Sequence, residues 1–334
     1  MLKGAEVVRV EAPCRADLAG GTLDIWPLGL LHPGALTVNA AIPLKVRLEV
    51  DCEAPQGELR HAVGEDGWRS LNPGDWATDL TAAVAFALRP HGGLRVRVRS
   101  QAPMGSGLGG SSAYAVALAR AVLAANGEGM EDERLVPLLR DLEARVLATP
   151  TGVQDHWAAV LGGVLALHLE PGEPRVEHLA VDPGWLGDRM TVFYTGITHH
   201  SGMVNWQVIR RRMEGEERTT AALTAIAEAA SRCRAALVAA DEELAAAAVA
   251  AEWAARKRLA PEVCPPELEA VERAAMEAGA LAVKACGAGG GGSLLVWHAP
   301  GARDGLEAAL IKAAPEGRVV ATGVAITGCK VVAD

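Results

Sequence analysis

The sequence of 334 residues is 50% hydrophobic and 22% charged, which predicts a folded chain with one very large core or two domains rather than a disordered chain. The net charge is −9 and the only dense basic run is at residues 210–212, so the composition argues against a nucleic-acid-binding protein. The charged N-terminal segment lacks the apolar core of a signal peptide, and no run of about 18 apolar residues would span a membrane. We therefore expect a cytoplasmic protein.

The first half of the chain is predicted to begin with strands and to continue with helices. Apolar residues that alternate or run together predict strands at residues 7–12, 36–42, 44–50 and 94–100. Pro43 separates the second of these strands from the third. Helices are predicted at about residues 111–125, 131–148 and 153–161, and a strand follows at residues 163–170.

From about residue 185 the pattern changes to strands that alternate with groups of helices. Strands are predicted at residues 190–196, 280–286 and 293–298 and again at the end, with helices at residues 201–258, 265–278 and 305–314. This alternation indicates a second domain of sandwich type. We therefore expect an α+β fold and divide the chain into residues 1–184 and residues 185–334.

A glycine-rich segment at residues 103–113, Pro-Met-Gly-Ser-Gly-Leu-Gly-Gly-Ser-Ser-Ala, joins a predicted strand to a buried helix. Glycine lets a backbone approach a ligand closely, and the N–H groups at the start of a helix form a cradle for phosphate oxygens. Ser111 and Ser112 add hydroxyls at the place where a phosphate or Mg²⁺ would be met. The alternative is a tight glycine turn that binds no ligand.

Two other phosphate-binding motifs are excluded for this segment. Gly105, Gly107 and Gly110 satisfy the pattern GxGxxG, but a dinucleotide-binding fold requires a second strand that ends in an acidic residue about 20 positions on, and here another helix follows. A Walker A loop requires a lysine before Ser or Thr, and no lysine occurs between Lys45 and Lys257.

Three further segments contain polar residues or glycines that suit a ligand site. Residues 15–24, Arg-Ala-Asp-Leu-Ala-Gly-Gly-Thr-Leu-Asp, follow the first predicted strand and suit hydrogen bonding to a polyol, with a surface ion pair as the alternative. Four consecutive glycines within residues 286–293 predict a close backbone approach between two strands. Asp155, within residues 149–157, is either a helix cap or a group that orients or deprotonates an attacking hydroxyl.

In this order and spacing, the segments resemble the three motifs of the GHMP kinase superfamily, which includes galactokinase, homoserine kinase and mevalonate kinase. Residues 103–113 resemble its signature loop with one extra glycine, and the resemblance covers nearly the whole chain. It implies a two-domain kinase, with a mixed-sheet N-terminal domain that binds ATP and a ferredoxin-like α/β sandwich as the C-terminal domain. The glycine pair after Arg15, the Gln154-Asp155 pair, Tyr194-Thr-Gly and the glycine run are similar to those of the D-glycero-D-manno-heptose 7-phosphate kinases and related sugar 1-kinases.

The resemblance assigns roles to individual residues. The ATP-binding residues that it implies are Pro103, Gly105, Ser106, Gly107, Leu108, Gly109, Gly110, Ser111 and Ser112. It implies that Ser111, Ser112 and Glu143 hold Mg²⁺ and that Asp155 and Arg15 are the catalytic residues. The residues that it implies for binding the acceptor are Asp17, Gly20, Gly21, Asp24, Gln154, Tyr194, Gly289 and Gly290.

The resemblance therefore implies a phosphotransferase that uses ATP and Mg²⁺ and phosphorylates a hydroxyl, with the anomeric hydroxyl of a sugar or sugar phosphate as the expected acceptor. A kinase for a mevalonate-type hydroxy acid and a catalytically inactive binding homologue are the alternatives. The expected partner is a small molecule rather than a nucleic acid or a membrane, and a homodimer is left open. The basic run at residues 210–212 predicts a solvated helix face or, together with His199 and His200, a site for a substrate phosphate.

Overall fold

The computed structural model describes residues 7–197 and 202–332, which form two β-sheets with helices packed against them. The strands are β1 (Val8–Ala19), β2 (Leu36–Ala54), β3 (Leu59–Val63), β4 (Arg69–Ser70), β5 (Gly93–Ser100), β6 (Val164–His168), β7 (Arg175–His178), β8 (Met190–Tyr194), β9 (Ala282–Ala285), β10 (Ser293–Trp297), β11 (Arg318–Thr322) and β12 (Lys330–Val332). The helices are α1 (Leu80–Leu88), α2 (Gly110–Asn126), α3 (Asp132–Leu147), α4 (Gln154–Leu161), α5 (Pro183–Gly187), α6 (Gly202–Met213), α7 (Glu217–Val238), α8 (Glu242–Arg256), α9 (Pro266–Glu277) and α10 (Arg303–Ala313). No helix in these two ranges is both long enough and apolar enough to cross a lipid bilayer.

The first sheet has eight strands and is mixed. Its order is β12-β1-β2-β5-β3-β4, and β6 pairs with β2 and carries β7 on its other side. Only β3 and β5 pair in parallel among its described ladders. The two strands predicted on either side of Pro43 form the single strand β2, so that prediction was wrong. Pro43 is exposed beside an irregularity in the register between β1 and β2, which is where a sheet accepts proline most easily.

Helix α2 fills the core behind the first sheet. It contacts β1 and β2 as well as α1, α3 and α4, and its residues from Ser112 to Leu123 are buried except Arg120. Its many alanines allow neighbouring elements to pack against the helix from several directions, which is the arrangement that the continuous apolar pattern predicted. Packing on so many sides fixes the helix, and with it the position of its N-terminus.

The second sheet has four strands, and all its pairs are antiparallel in the order β11-β8-β10-β9. Numbered along the chain, the strands follow the order 4-1-3-2, which is the order of a ferredoxin-like sandwich. Helices α6, α7, α8 and α9 lie between its first and second strands in the chain, and α10 lies between the third and fourth. The structure therefore confirms the expected fold, with a mixed sheet and a separate antiparallel sheet.

The chain returns to the first sheet after β11. We call the first sheet with α1–α4 the first unit and the second sheet with α6–α10 the second unit. Strand β12 pairs with β1, and the segment before it also bonds to the first unit. The Ala325 N–H donates to Ala41 O at 2.8 Å, and the Cys329 N–H donates to Ala159 O at 2.7 Å. A Cβ added to Gly328 would lie 1.9 Å from Val160 O, so this return segment packs against the turn at the end of α4. The two units are therefore connected at two places along the chain.

The structure corrects the predicted limits of the first strand. Strand β1 extends to Ala19 rather than ending at residue 12, so Arg15 and Asp17 lie inside a strand and not in a loop that follows it. Elements α1, α5, β3, β4 and β7 were not predicted. The boundary at residue 184 falls within the short helix α5 and stays a prediction.

Candidate active site

A cleft of about 810 Å³ opens where the two units meet. Its walls include residues 102–112 before and at the start of α2, the turn before α4, and residues 287–289 and 291 before β10. The interface between two units is a common place for a small-molecule site, and the volume lies within the usual range for one. This cleft is the candidate active site.

The glycine-rich segment before α2 forms one wall of the cleft, and all nine residues predicted to bind ATP line it. Gly105, Gly107 and Gly109 have φ values of 68°, 70° and 75°, a left-handed conformation that glycine adopts without steric cost. Helix α2 begins at Gly110, immediately after the third of these glycines. The unpaired N–H groups of its first turn and the positive end of its dipole therefore lie at the cleft, which suits phosphate oxygens.

The second glycine-rich segment, residues 286–293, packs against the first. The Ser293 N–H donates to Ser106 O at 2.9 Å. A Cβ on Gly292 would lie 2.7 Å from the same oxygen, and a Cβ on Gly107 would lie 2.6 Å from Cys286 O. The close backbone approach predicted from the glycine run is therefore present, and its partner includes the segment before α2.

Arg15 and Asp155 form an ion pair at the floor of the cleft. The Arg15 Nε donates to Asp155 Oδ1 at 2.7 Å, and its Nη1 donates to Gly107 O at 2.6 Å. The Arg15 side chain is only 5% exposed, whereas that of Asp155 is 23% exposed. A Cβ on Gly109 would lie 3.0 Å from Asp155 Oδ2. The carboxylate is thus held against the glycine-rich segment and keeps access to the cleft.

Asp24 lies beside this pair and caps the start of α4. Its Oδ2 accepts from the N–H groups of Val153 and Gln154 at 2.9 and 3.1 Å. Burial raises the Asp24 pKa to about 6, although the hydrogen bond from Gln154 opposes that rise, and the nearby charge of Asp155 adds to it. Asp24 therefore caps α4, a role that the sequence left open for Asp155.

Three oxygen-bearing side chains meet at the start of α2. Ser111 Oγ donates to Glu143 Oε1, and Ser112 Oγ donates to Glu143 Oε2 at 2.9 Å. Glu143 is buried, and the buried His156 ring lies 3.3 Å from its Oε2. A carboxylate and two hydroxyls are the hard oxygen ligands that Mg²⁺ prefers. Within the described residues no cluster of three His, Cys, Asp or Glu side chains suits a metal ion, so a Mg²⁺ ion here would also need oxygens from the nucleotide.

Gln154 and Gly289 are two more of the predicted acceptor-binding residues that line the cleft. The Gln154 residue is only 4% exposed, and its Oε1 has no hydrogen-bond partner among the described residues. A buried amide oxygen without a partner is costly. Gln154 is thus a buried polar residue next to Asp155 at the start of α4.

Five predicted acceptor-binding residues do not line the cleft: Asp17, Gly20, Gly21, Tyr194 and Gly290. Asp17 is fully buried, with its Oδ2 3.0 Å from Lys284 Nζ and 3.3 Å from Arg256 Nη2. Burial alone would raise the Asp17 pKa, but these two cations hold the pKa below its ordinary value. Asp17 is therefore the partner of buried cations rather than a ligand group.

The other four residues outside the cleft have packing roles. A Cβ on Gly20 would lie 2.2 Å from Leu36 O, and a Cβ on Gly21 would lie 2.3 Å from Asp17 Oδ2. The Gly290 N–H donates to Val263 O at 2.7 Å. The Tyr194 ring, on β8, lies 5.6 Å from the guanidinium carbon of Arg318 on the neighbouring strand, so it packs within the second sheet.

Several residues that line the cleft were missed by sequence reasoning. Thr22 and Ile25 lie beside Asp24 in the chain, Gly287 and Ala288 belong to the second glycine-rich segment, and Asn205 lies on α6. The other missed residues come from strands of the first sheet and from α2: Val46, His61, Val98 and Tyr114. Thr22 lies within the segment already singled out, so the run of small residues before Asp24 was a usable signal. The strand residues had no such signal, because their side chains reach the cleft only through the pairing of distant strands.

The basic run at residues 210–212 makes local contacts. Arg210 pairs with Glu214 at 2.8 Å, Arg211 donates to Leu259 O at 3.1 Å and Arg212 donates to Leu31 O at 3.2 Å. Only Arg210 fits the expected solvated face, since the other two arginines tie α6 to neighbouring segments. His199 and His200, the other candidates for a phosphate site, lie outside the described residues.

Comparison with known proteins gives matches along most of the chain. Family models described as the GHMP kinases N terminal domain and GHMP kinases C terminal match residues 78–163 and 233–316. The curated D-glycero-alpha-D-manno-heptose 7-phosphate kinase of Campylobacter jejuni is 25% identical over 329 residues, which cover 92% of this chain and 94% of that protein.

Solved structures match over nearly the full length of the described fold. A D-glycero-D-manno-heptose 1-phosphate kinase from Bacteroides thetaiotaomicron has a TM-score of 0.75 at 22% identity and covers 98% of this chain and 99% of its own. Lactococcus lactis galactokinase in complex with galactose has a TM-score of 0.81 at 14% identity and covers 98% and 95%. These likenesses show that the fold is shared.

Proposed function

Because the chain belongs to the GHMP kinases, we propose that it is an ATP-dependent sugar kinase. It would transfer the γ-phosphoryl group of ATP to a hydroxyl of a sugar or sugar phosphate. We expect this hydroxyl to be the anomeric one. The observation that carries the proposal is the contact between Arg15, Asp155 and the carbonyl of Gly107. In this contact, a carboxylate suited to activate a hydroxyl lies directly beside the segment suited to hold phosphates.

The glycine-rich segment and the first turn of α2 bind the phosphates of ATP in this proposal. Their N–H groups donate to phosphate oxygens, and the helix dipole adds a fixed positive potential. Ser111, Ser112 and Glu143 would hold Mg²⁺, which supplies neutralisation of the phosphate charge when it is bound. The remaining acceleration comes from positioning, since phosphoryl transfer needs the acceptor oxygen in line with the leaving oxygen.

Asp155 orients the acceptor hydroxyl and takes its proton as the bond to phosphorus forms. Arg15 holds the Asp155 carboxylate in place through Oδ1, which leaves Oδ2 to the hydroxyl. The Arg15 charge also lies at the glycine-rich segment through its bond to Gly107 O, where it stabilises negative charge on the transferring group. One arginine thus links the group that activates the acceptor to the segment that binds the donor.

The acceptor class follows from the relatives together with the polar groups around Asp155. Among the curated relatives, a heptose 7-phosphate kinase matches at full length, and the unpartnered Gln154 oxygen and the Asp24 carboxyl give several hydrogen-bonding groups for adjacent hydroxyls. A polyol uses such a set, whereas a hydroxy acid needs a cation for its carboxylate. As a consumer of ATP, the enzyme is expected to work in the cytoplasm.

The test is nucleotide turnover with a panel of acceptors. ADP release is measured with ATP and Mg²⁺ alone and then with D-glycero-D-manno-heptose 7-phosphate, D-galactose or mevalonate. We expect turnover to rise with one of the sugars and the product to carry phosphate on the anomeric oxygen. Turnover with mevalonate but with neither sugar would support the hydroxy-acid alternative, and no turnover with any acceptor despite ATP binding would support an inactive homologue.

A further inference from the structure

A buried cluster of four charged side chains lies next to the cleft but outside its lining. Asp17 on β1, Glu252 and Arg256 on α8 and Lys284 on β9 are each no more than 1% exposed. Lys284 Nζ lies 3.0 Å from Asp17 Oδ2 and 3.4 Å from Glu252 Oε2. Two cations and two carboxylates balance, which makes such deep burial of charge tolerable.

Arg256 extends this cluster to both walls of the cleft. Its Nη1 donates to Thr22 Oγ1 at 3.1 Å and to Gly287 O at 3.0 Å, and its Nη2 donates to Gly21 O at 2.8 Å. Thr22 and Gly287 both line the cleft, whereas Arg256 does not. The guanidinium therefore connects the wall that follows β1 to the wall that follows β9, and it has the fixed planar geometry that such a double contact requires.

Thr22 has a backbone conformation that threonine rarely adopts. Its φ is 79°, in the left-handed region, where a β-branched side chain is strained. Glycine would adopt this φ freely. The residue lies two positions before Asp24, and its hydroxyl accepts the hydrogen bond from Arg256. A threonine kept in a strained conformation by a buried arginine at a cleft wall points to a role for its side chain.

The bond from Arg256 also determines what the Thr22 hydroxyl can offer. Because the oxygen accepts from a cation, the O–H proton is directed away from that cation and is made a stronger donor. A suitable ligand group is therefore an oxygen with a free lone pair, such as a sugar hydroxyl or ring oxygen. The neighbouring Asp24 and Asp155 carboxylates accept hydrogen bonds, so Thr22 would add the complementary donor.

We propose that Thr22 is a further acceptor-binding residue and that Arg256 is the positioning residue that orients its hydroxyl. The proposal rests on the proposed sugar kinase function and adds to it the group that recognises an acceptor oxygen. Arg256 acts only through Thr22 and Gly287 and touches no substrate. The pair sets the affinity for the acceptor and leaves the nucleotide site unchanged.

Calorimetry with a non-hydrolysable ATP analogue tests the proposal without relying on turnover. D-glycero-D-manno-heptose 7-phosphate and D-galactose are titrated into the full-length protein that is saturated with the analogue. Thr22→Val keeps the shape of the side chain and removes the hydroxyl, and Thr22→Gly removes both the hydroxyl and the strain. We expect both variants to weaken sugar binding about tenfold or more, with the affinity for the analogue within about twofold of wild type.

Three further variants separate the role of the hydroxyl from the stability of the fold. Thr22→Ser keeps the hydroxyl and is expected to restore most of the sugar affinity that Thr22→Val loses. Thr191→Val is the matched control for stability. Thr191 lies on β8 outside the lining of the cleft, and its buried hydroxyl forms a hydrogen bond with the His298 ring at 3.0 Å. Arg256→Lys keeps the charge but loses the planar fork, so it should weaken sugar binding in the same direction as Thr22→Val.

The outcomes distinguish this inference from the proposed function. Sugar binding by Thr22→Val and Thr22→Gly at wild-type affinity would overturn the inference alone, as would an equal loss of sugar and nucleotide affinity. Wild-type protein that binds the analogue but neither sugar would overturn the proposed function and the inference with it. Thermal unfolding of every variant shows whether a loss of binding comes from the site or from the fold.

Discussion

The two ends of the cleft are built from different chemical groups, backbone at one end and side chains at the other. The end proposed for phosphates is made of backbone, with three left-handed glycines and the first turn of α2. The end proposed for the acceptor is made of side chains, among them Arg15, Asp24 and Asp155. Backbone N–H groups bind phosphate whatever the residue type, so substitutions there act through steric fit. Substitutions at the acceptor end act through charge and hydrogen bonding, so that end determines chemistry and specificity.

The largest expected effect is at the acceptor end. Asp155→Asn keeps the size of the side chain and an oxygen for Arg15 but removes the charge and the ability to take a proton. We expect kcat to fall by about two to four orders of magnitude while ATP affinity changes little. Steady-state kinetics with whichever acceptor supports turnover in the panel, together with calorimetry of ATP binding, makes the measurement.

Asp182→Asn is the matched control for Asp155→Asn. Asp182 caps α5 by accepting from the Trp185 N–H at 2.6 Å and lies outside the cleft, and asparagine caps a helix nearly as well as aspartate. Its kcat should equal that of wild type. If Asp155→Asn also kept kcat within about threefold, Asp155 would not be the activating group.

The next largest effect is expected at the phosphate end and compares two glycines of nearly equal φ. Gly107 and Gly127 have φ values of 70° and 71°, so alanine is strained by a similar amount at both, roughly 1–2 kcal/mol. A Cβ on Gly107 would lie 2.6 Å from Cys286 O, whereas a Cβ on Gly127 would have no atom within 4 Å. We expect Gly107→Ala to weaken ATP binding about tenfold or more and Gly127→Ala to lower only the melting temperature. Equal ATP affinities in the two variants would exclude steric fit as the determinant of phosphate binding at this end of the cleft.

A smaller effect is expected at the proposed Mg²⁺ site. Glu143→Gln removes the charge that would hold Mg²⁺ beside Ser111 and Ser112, so we expect turnover to fall about tenfold at low Mg²⁺ and to recover in part as Mg²⁺ is raised. Asp141→Asn, whose side chain on the same helix is 68% exposed, is the control and should show the wild-type Mg²⁺ dependence. A Mg²⁺ titration of turnover that is identical for all three proteins would argue against Glu143 as a ligand.

The last prediction concerns stability rather than turnover. Burial raises the Asp24 pKa to about 6 in the folded protein, whereas an unfolded chain has a value of about 3.9. The folded state therefore holds this proton more tightly, and the free energy of unfolding should fall as pH rises from about 4 to 6. Asp24→Asn removes this contribution, which is at most about 3 kcal/mol. Chemical denaturation of both proteins across this pH range makes the test, and parallel curves would contradict it.

Much of the fold was predictable because the signals are local. The continuous apolar pattern predicted α2 to within one residue at each end, and the alternation at residues 94–100 predicted β5. The glycine pattern before α2 located one wall of the cleft, since a helix start preceded by glycines has few other uses. Pro43 misled the prediction of β2, because the bulge that accommodates this proline becomes visible only in the pairing of β2 with β1 and has no signal in the segment itself.

The site was less predictable where partners lie far apart in the chain. Asp17 was expected in the cleft because it is polar and close to Arg15, but its partners Arg256 and Lys284 lie more than two hundred residues later. The same separation concealed the role of Arg256, because its local sequence predicts only an ordinary residue at the end of a helix. The cap of α4 is Asp24 rather than the neighbouring Asp155, because the capping carboxylate comes from a distant part of the first unit. Spacing along the chain indicates which residues are available, and only the fold decides how they pair.

The return of β12 to the first sheet restricts how the cleft can change shape. The second unit joins the first both through the connection from β7 to β8 and through the return segment before β12. A body attached at two separate points can rotate only about the line that joins them, so other rotations of the two units are restricted. The cleft is therefore expected to admit its ligands by a shallow rocking motion. Strain applied at one connection would be transmitted to the other, so mechanical unfolding should release both units in one event.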